Sequence, residues 1–181
     1  MALTSTMYSL KVELAHVDRG VYESLDFRMA MHPSESPEYF VARLLAYCLE
    51  YAEGIGFSRG VSDPDDPTIS VRDLTGTITT WIEIGLPDAA RLHKASKAAP
   101  RVAVYTHRDP LVWLRQIAGE RIHRVEHIAA YEFDRDLIDA LVERLDRRMT
   151  FSLSVTDGTL FLDLEGTTLT GQVTPISLVP T

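Results

Sequence analysis

The hydrophobic period changes twice along this 181-residue chain, and few architectures accommodate both changes. Near the start, Leu10, Val12 and Leu14 alternate with polar residues, Asp18-Arg19-Gly20 supplies turn chemistry, and Leu25, Phe27, Met29 and Met31 alternate again. Near the end, Phe151, Leu153 and Val155, then Asp157-Gly158, then Leu160, Leu162 and Leu164 repeat that arrangement, with a further strand over 169–173. Period-two alternation joined by tight turns makes antiparallel hairpins, so one is expected at each end.

Between them strands and helices interleave. Ser36 and Pro37 open a helix carrying Phe40, Val41, Leu44, Leu45, Cys48, Leu49 and Ala52 at helical spacing, which Gly54 and Gly56 end. The run over 60–68, with Pro64, Pro67 and three aspartates, reads as a surface loop. Residues 69–74 and 78–84 read as strands reversed at Thr75-Gly76, and Leu86-Pro87-Asp88 introduces a helix to about residue 98. A strand over 101–105, a short helix from Asp109-Pro110 through Ile117, a strand over 125–133 and a helix capped by Asp134 follow. This order predicts an α/β fold with a compact mixed β-sheet, flanking helices and terminal hairpins. The length favours a single domain over residues 1–181.

The lone cysteine, Cys48, offers neither a disulfide nor a thiolate metal site, which fits a reducing compartment. No run of about 18 apolar residues occurs and the start lacks a signal-peptide pattern, so a cytoplasmic protein without membrane contact is expected. A net charge of −8 argues against non-specific coating of nucleic acid. Locally the balance reverses: residues 91–124 carry Arg91, Lys94, Lys97, Arg101, Arg108, Arg115, Arg121 and Arg124 against Asp109 and Glu120.

Glu83 interrupts the apolar strand Thr79-Thr80-Trp81-Ile82-Glu83-Ile84-Gly85, and parity puts it on the face of Trp81 and Thr79. A carboxylate taken out of water there costs several kcal/mol unless a cation or several donors meet it. Two readings stand side by side. In one, Asp73 on the neighbouring strand converges with Glu83 to hold Mg²⁺ or Mn²⁺. In the other, Glu83 pairs with an arginine and Asp73 only caps a turn. Arg91, Lys94 and Lys97 or Arg101 recur at helical spacing, as a phosphate-attracting stripe or a solvated helix face. Glu35 and Glu38 sit where first-turn acids cap a helix. His123 and His127 are four apart, yet on a loop and strand they read as structural histidines.

The runs His32-Pro33-Ser34-Glu35, Arg43-Leu44-Leu45-Ala46, Phe57-Ser58-Arg59-Gly60, Trp81-Ile82-Glu83-Ile84-Gly85-Leu86-Pro87-Asp88 and Asp146-Arg147-Arg148-Met149-Thr150 together resemble the bacterial YaeQ family, over essentially the whole chain. The resemblance implies a compact restriction-endonuclease-like fold, whose active members hold a divalent metal with a PD-(D/E)XK constellation. Asp73 would then be the first acid, Glu83 the second and Glu35 an auxiliary acid. The lysine of that pattern falls on Gly85, and Lys94 on the next helix would substitute for it. Three functions follow as expectations. They are a Mg²⁺-dependent phosphodiesterase using Asp73, Glu83, Lys94 and Glu35; an inactive relative binding nucleic acid through residues such as Arg91, Lys97 and Arg101; and a protein-binding adaptor.

Overall fold

The computed structural model describes residues 4–58 and 65–180. Among the described residues, ten strands and four helices make a mixed α/β protein: β1 (Thr6–His16), β2 (Val21–Met31), α1 (Pro37–Leu49), β3 (Ile55–Phe57), β4 (Ile69–Arg72), β5 (Ile78–Ile84), α2 (Ala89–Ala98), β6 (Arg101–Thr106), α3 (Leu111–Ile117), β7 (Ala129–Phe133), α4 (Arg135–Val142), β8 (Arg148–Thr156), β9 (Thr159–Leu164) and β10 (Thr167–Ile176). They form two compact units. The first takes residues 1–49 and 133–174, the second residues 50–132 and 175–181.

In the first unit the strand order is β2-β1-β8-β9-β10, with β1 and β8 parallel and the other neighbours antiparallel. Both expected hairpins are here. The N-terminal one turns through a short 3₁₀ segment closed by Gly20, whose φ of 66° is left-handed. Alternation gives this sheet one dry and one wet face: Leu10, Val12, Leu14, Leu25, Phe151, Leu153 and Val155 are buried while their neighbours along each strand are largely exposed. On the dry side, α1 sets Phe40 against Tyr8 at 4.6 Å and Tyr47 against Phe27 at 4.4 Å. The Ser36 hydroxyl accepts from the Tyr39 amide, confirming the expected start of that helix. Helix α4 lies close against β10, where a Cβ on Gly171 would stand 2.6 Å from the Leu137 Cβ.

In the second unit the order is β7-β6-β5-β4-β3; β7, β6 and β5 run parallel, β4 and β3 antiparallel. Helices α2 and α3 lie on one side of the sheet, as two crossovers of the same hand between successive parallel strands require. Their apolar residues Leu92, Ala95, Trp113 and Ile117 share a core with Trp81, Val102, Val104 and Ala130. The Trp113 indole donates to the Pro87 carbonyl at 2.6 Å, which satisfies its polar edge inside that core.

Boundaries differ from expectation at several places, and helix α1, expected to carry Ala52, ends at Leu49. Gly56 does not end a helix but lies in β3, a strand of three residues too short to leave a periodic signal. Strand β4 stops at Arg72, because Asp73 already belongs to the reversal: Gly76 N–H donates to its carbonyl. Strand β7 starts at Ala129, since Arg124 is left-handed (φ 49°) and residues 125–127 close a 3₁₀ turn. Strand β10 is longer than 169–173. The loop expected over 60–68 lies outside the described residues up to 64.

Candidate functional site

Strand parity points Glu83 at the helical side of the second unit, and α2 brings it a partner. Asp88 caps that helix by accepting from the Arg91 amide at 2.8 Å, which places Arg91 in the first turn over the strand. The Arg91 guanidinium sits 5.1 Å over the Trp81 ring. Its Nε donates to Glu83 Oε1 at 2.8 Å, its Nη2 lies 2.8 Å from the same oxygen, and Nη2 also donates to the Asp66 carbonyl at 2.7 Å. Trp81 Nε1 adds a 2.6 Å bond to Oε1, and the Thr68 hydroxyl stands 3.4 Å from Oε2. Glu83 is only 5% exposed. Burial raises its carboxyl above the ordinary value, and the Trp81 and Arg91 interactions oppose that rise without cancelling it. The counter-charge in this strand is therefore a guanidinium.

Asp73 stands elsewhere. It is exposed in the turn after β4, where Oδ1 accepts from the Thr75 amide (2.9 Å), the Thr75 hydroxyl (2.6 Å) and the Thr77 amide (3.0 Å). The Thr75 hydroxyl, then the turn amides, hold its carboxyl below the usual range. Thr77 lies opposite Asp73 and Glu83 six residues further along β5, so the two acids sit at opposite ends of the hairpin, about 20 Å apart at strand rise. Among the described residues, no three His, Cys, Asp or Glu side chains converge as a metal-binding group. Asp73 and Glu83 do not fit the Mg²⁺ or Mn²⁺ site that the resemblance implies.

The other expected site residues are equally dispersed. Lys94 is half-exposed and ion-paired with Asp65. Arg91, expected on a binding surface, is taken by Glu83. Arg101 forks onto Glu50 at 2.9 and 3.1 Å. Lys97 is exposed with no acid paired to it among the described residues. Glu35 lies in the first unit, where Arg43 Nε and Nη2 clasp it at 3.0 and 3.1 Å while Nη2 also reaches the Ala30 carbonyl at 2.6 Å. It is a structural pair at the entrance to α1. His123 and His127 do not act together: the His123 amide donates to His93 Nδ1 at 3.1 Å, and His127 is exposed beside Glu126.

Gly85, at the lysine position of the implied pattern, has a φ of 94°. That backbone turns the chain out of β5 toward Pro87 and the Asp88 cap, and a lysine would be strained there.

Two features escape the sequence reading. Glu50 is a second buried acid, bound by Arg101 and by the Tyr105 hydroxyl at 2.7 Å, with Tyr105 stacked on Tyr131 at 4.9 Å. Its signal resembles that of Glu83, an acid directly following the apolar run that ends at Leu49. Gly56-Phe57-Ser58-Arg59-Gly60 has the spacing of a hydrolase nucleophile elbow. The Ser58 amide donates to the Thr68 carbonyl, extending the β3–β4 pairing; Arg59 and Gly60 lie outside the described residues.

Residues 1–173 match the YaeQ protein family. The chain is 33% identical over 165 residues to the YaeQ protein of Escherichia coli (strain K12), covering 90% of each, and 34% identical over 164 residues to that of Salmonella typhi, again covering 90% of each. It superposes on the crystal structure of the YaeQ protein from Pseudomonas syringae with a TM-score of 0.85 at 30% identity, covering 95% of this chain and 96% of the other. For the YaeQ protein from Xanthomonas axonopodis pv. citri the TM-score is 0.87 at 28% identity, covering 98% and 100%. None of these names states a reaction. By sequence over nearly its full length and by fold, the chain belongs to the YaeQ family.

Proposed function

We propose that this YaeQ-family protein is a cytoplasmic nucleic-acid-binding protein on a restriction-endonuclease-like scaffold, in which the strand acid serves an ion pair and not a metal. The observation that carries this reading is how charge is distributed in the second unit. Glu83, Glu50 and Asp65 take Arg91, Arg101 and Lys94. Lys97, Arg108, Arg115, Arg121 and Arg124 remain exposed, with no acid paired to them among the described residues.

Helices α2 and α3 share one side of the sheet, so Lys97 on α2 and Arg115 on α3 belong to one layer. Arg124 lines a cleft of about 360 Å³ with Ser96 of α2, the adjoining Ala99 and Pro100, and Val102 and His127. A cationic layer of this kind recognises phosphates without reading bases.

Fluorescence anisotropy with short DNA and RNA duplexes and single strands, at several salt concentrations, tests the reading. Affinity should fall steeply with salt, by about 0.9 log units per log unit of salt for each duplex phosphate neutralised. The triple charge reversal Lys97→Glu/Arg115→Glu/Arg124→Glu should abolish binding, and unchanged affinity overturns the reading. Cleavage that requires Mg²⁺ or Mn²⁺ and disappears in Glu83→Gln would instead establish the phosphodiesterase.

A further inference from the structure

The wet face of the first unit's sheet carries a second cationic feature, unrelated to the helical layer. Register sets it up. Ser9 on β1 lies opposite Arg28 on β2 and opposite Arg148 on β8, so one row across three strands reads Arg28–Ser9–Arg148. The two arginines are separated by two strand spacings, about 10 Å, with only a small hydroxyl between them. Arg147 immediately precedes β8, and its carbonyl accepts from the Ser9 amide at 2.7 Å.

Around this row lies a cleft of about 500 Å³ lined by Met7, Ser9, Arg28, Asp146, Arg147 and Arg148. All three arginines are exposed, and no salt bridge engages any of them among the described residues. Asp146 directs Oδ1 at the Arg148 amide, 3.4 Å away. The lining therefore carries a formal excess of two positive charges, in a protein whose net charge is −8.

The surroundings limit what could bind. The next outward row, Asp26–Lys11–Thr150, is neutral overall. Two residues further along, Ser24–Glu13–Ser152–Asp163 is acidic. That acidic row stands about 13 Å from Ser9 at strand rise and would repel a polyanion running along the sheet. A compact dianion suffers no such repulsion. Guanidinium forks match phosphate oxygens, and the cleft volume falls within the range of small-molecule sites. Met7, 46% exposed, supplies an apolar wall for an organic group.

We infer that the cleft at the Arg28–Ser9–Arg148 row binds a phosphate monoester of nucleotide size, free or at the 5′ end of a nucleic-acid strand. The site is independent of the cationic helical layer. Isothermal titration of the full chain with adenosine monophosphate and with adenosine tests it. The monophosphate should bind saturably and at least about tenfold more tightly than adenosine, the discrimination expected of charge-assisted hydrogen bonds to the phosphate.

Arg28→Gln/Arg148→Gln should erase that preference with the melting temperature retained. Ser9→Asp, which puts a carboxylate between the two guanidiniums, should erase it too. Charge reversals at Lys97, Arg115 and Arg124 should leave it intact, which separates this site from the nucleic-acid reading. A 5′-phosphorylated oligonucleotide preferred over its 5′-hydroxyl form assigns the strand end as ligand; monophosphate binding without that preference assigns the free monoester. Equal or absent binding of monophosphate and adenosine, or a preference that survives in the double variant, overturns the inference.

Discussion

Arg91→Ala takes the guanidinium away from Glu83 and leaves the rest of the strand as it is. The carboxylate keeps the Trp81 indole at 2.6 Å and the Thr68 hydroxyl at 3.4 Å, both neutral donors. Removing one member of a buried ion pair costs about 3–5 kcal/mol, because the remaining charge is stranded. The Glu83 side chain is 7% exposed and that of Arg91 21%, so partial hydration of the arginine puts the expected loss near about 3 kcal/mol around pH 7.5.

The pH dependence makes this diagnostic. Burial already raises the Glu83 carboxyl above 4.5, and without Arg91 it should rise further. An acid whose folded-state value is raised binds its proton more readily when folded than when unfolded. Its contribution to stability therefore falls as pH rises through the interval above 4.5, and returns as pH falls. The deficit of Arg91→Ala should accordingly shrink toward pH 5, by up to roughly 1.4 kcal/mol per pH unit within that interval. Urea titrations followed by tryptophan fluorescence suit the measurement, since Trp81 touches both partners. Glu83→Gln/Arg91→Ala should recover part of the loss. A deficit below about 1 kcal/mol at pH 7.5 with no convergence in acid would mean a hydrated carboxylate, and the ion-pair account of this strand would fail.

Other expectations follow from neighbouring features. Gly85→Lys, which restores the lysine of the nuclease pattern, should destabilise the protein by about 1–2 kcal/mol through its left-handed backbone and should confer no Mg²⁺-dependent cleavage; both are read by melting and a plasmid-nicking assay. Burial pushes the Cys48 thiol up to about 12, so a chromogenic disulfide reagent at pH 8 should leave it unlabelled until denaturant is added. Burial, then the Glu50 carboxylate, raises the Tyr105 phenol well above 10.0. The unfolded chain then ionises this tyrosine first, so stability should fall as pH rises through 10, with one phenolate absorbance step arriving only on unfolding.

Much of the fold was legible locally. The hairpins around Gly20 and Asp157-Gly158, the Ser36-Pro37 and Asp88 helix starts and the β5-α2-β6 order all follow from turn chemistry and hydrophobic period, which act over a few residues. Strand β3 and the start of β7 were not legible, because a three-residue strand and a 3₁₀ turn leave no period to read.

The sequence alone determined that Glu83 must have a counter-charge, since an acid between Ile82 and Ile84 cannot stay ionised in an apolar strand without one. It also determined that residues 91–124 are locally basic. Tertiary structure alone decided which group answers Glu83. Identity and spacing left a metal shared with Asp73 and an arginine both open, and register and helix phase decide between them. A reversal at residues 73–76 carries Asp73 to the far end of the hairpin, while the Asp88 cap fixes the rotation of α2 so that Arg91, one turn before Lys94, meets the strand. The row Arg28–Ser9–Arg148 has the same origin: the hairpin sets Arg28 beside Ser9, but Arg148 lies more than a hundred positions further along the chain, and only the parallel pairing of β1 with β8 makes it their neighbour.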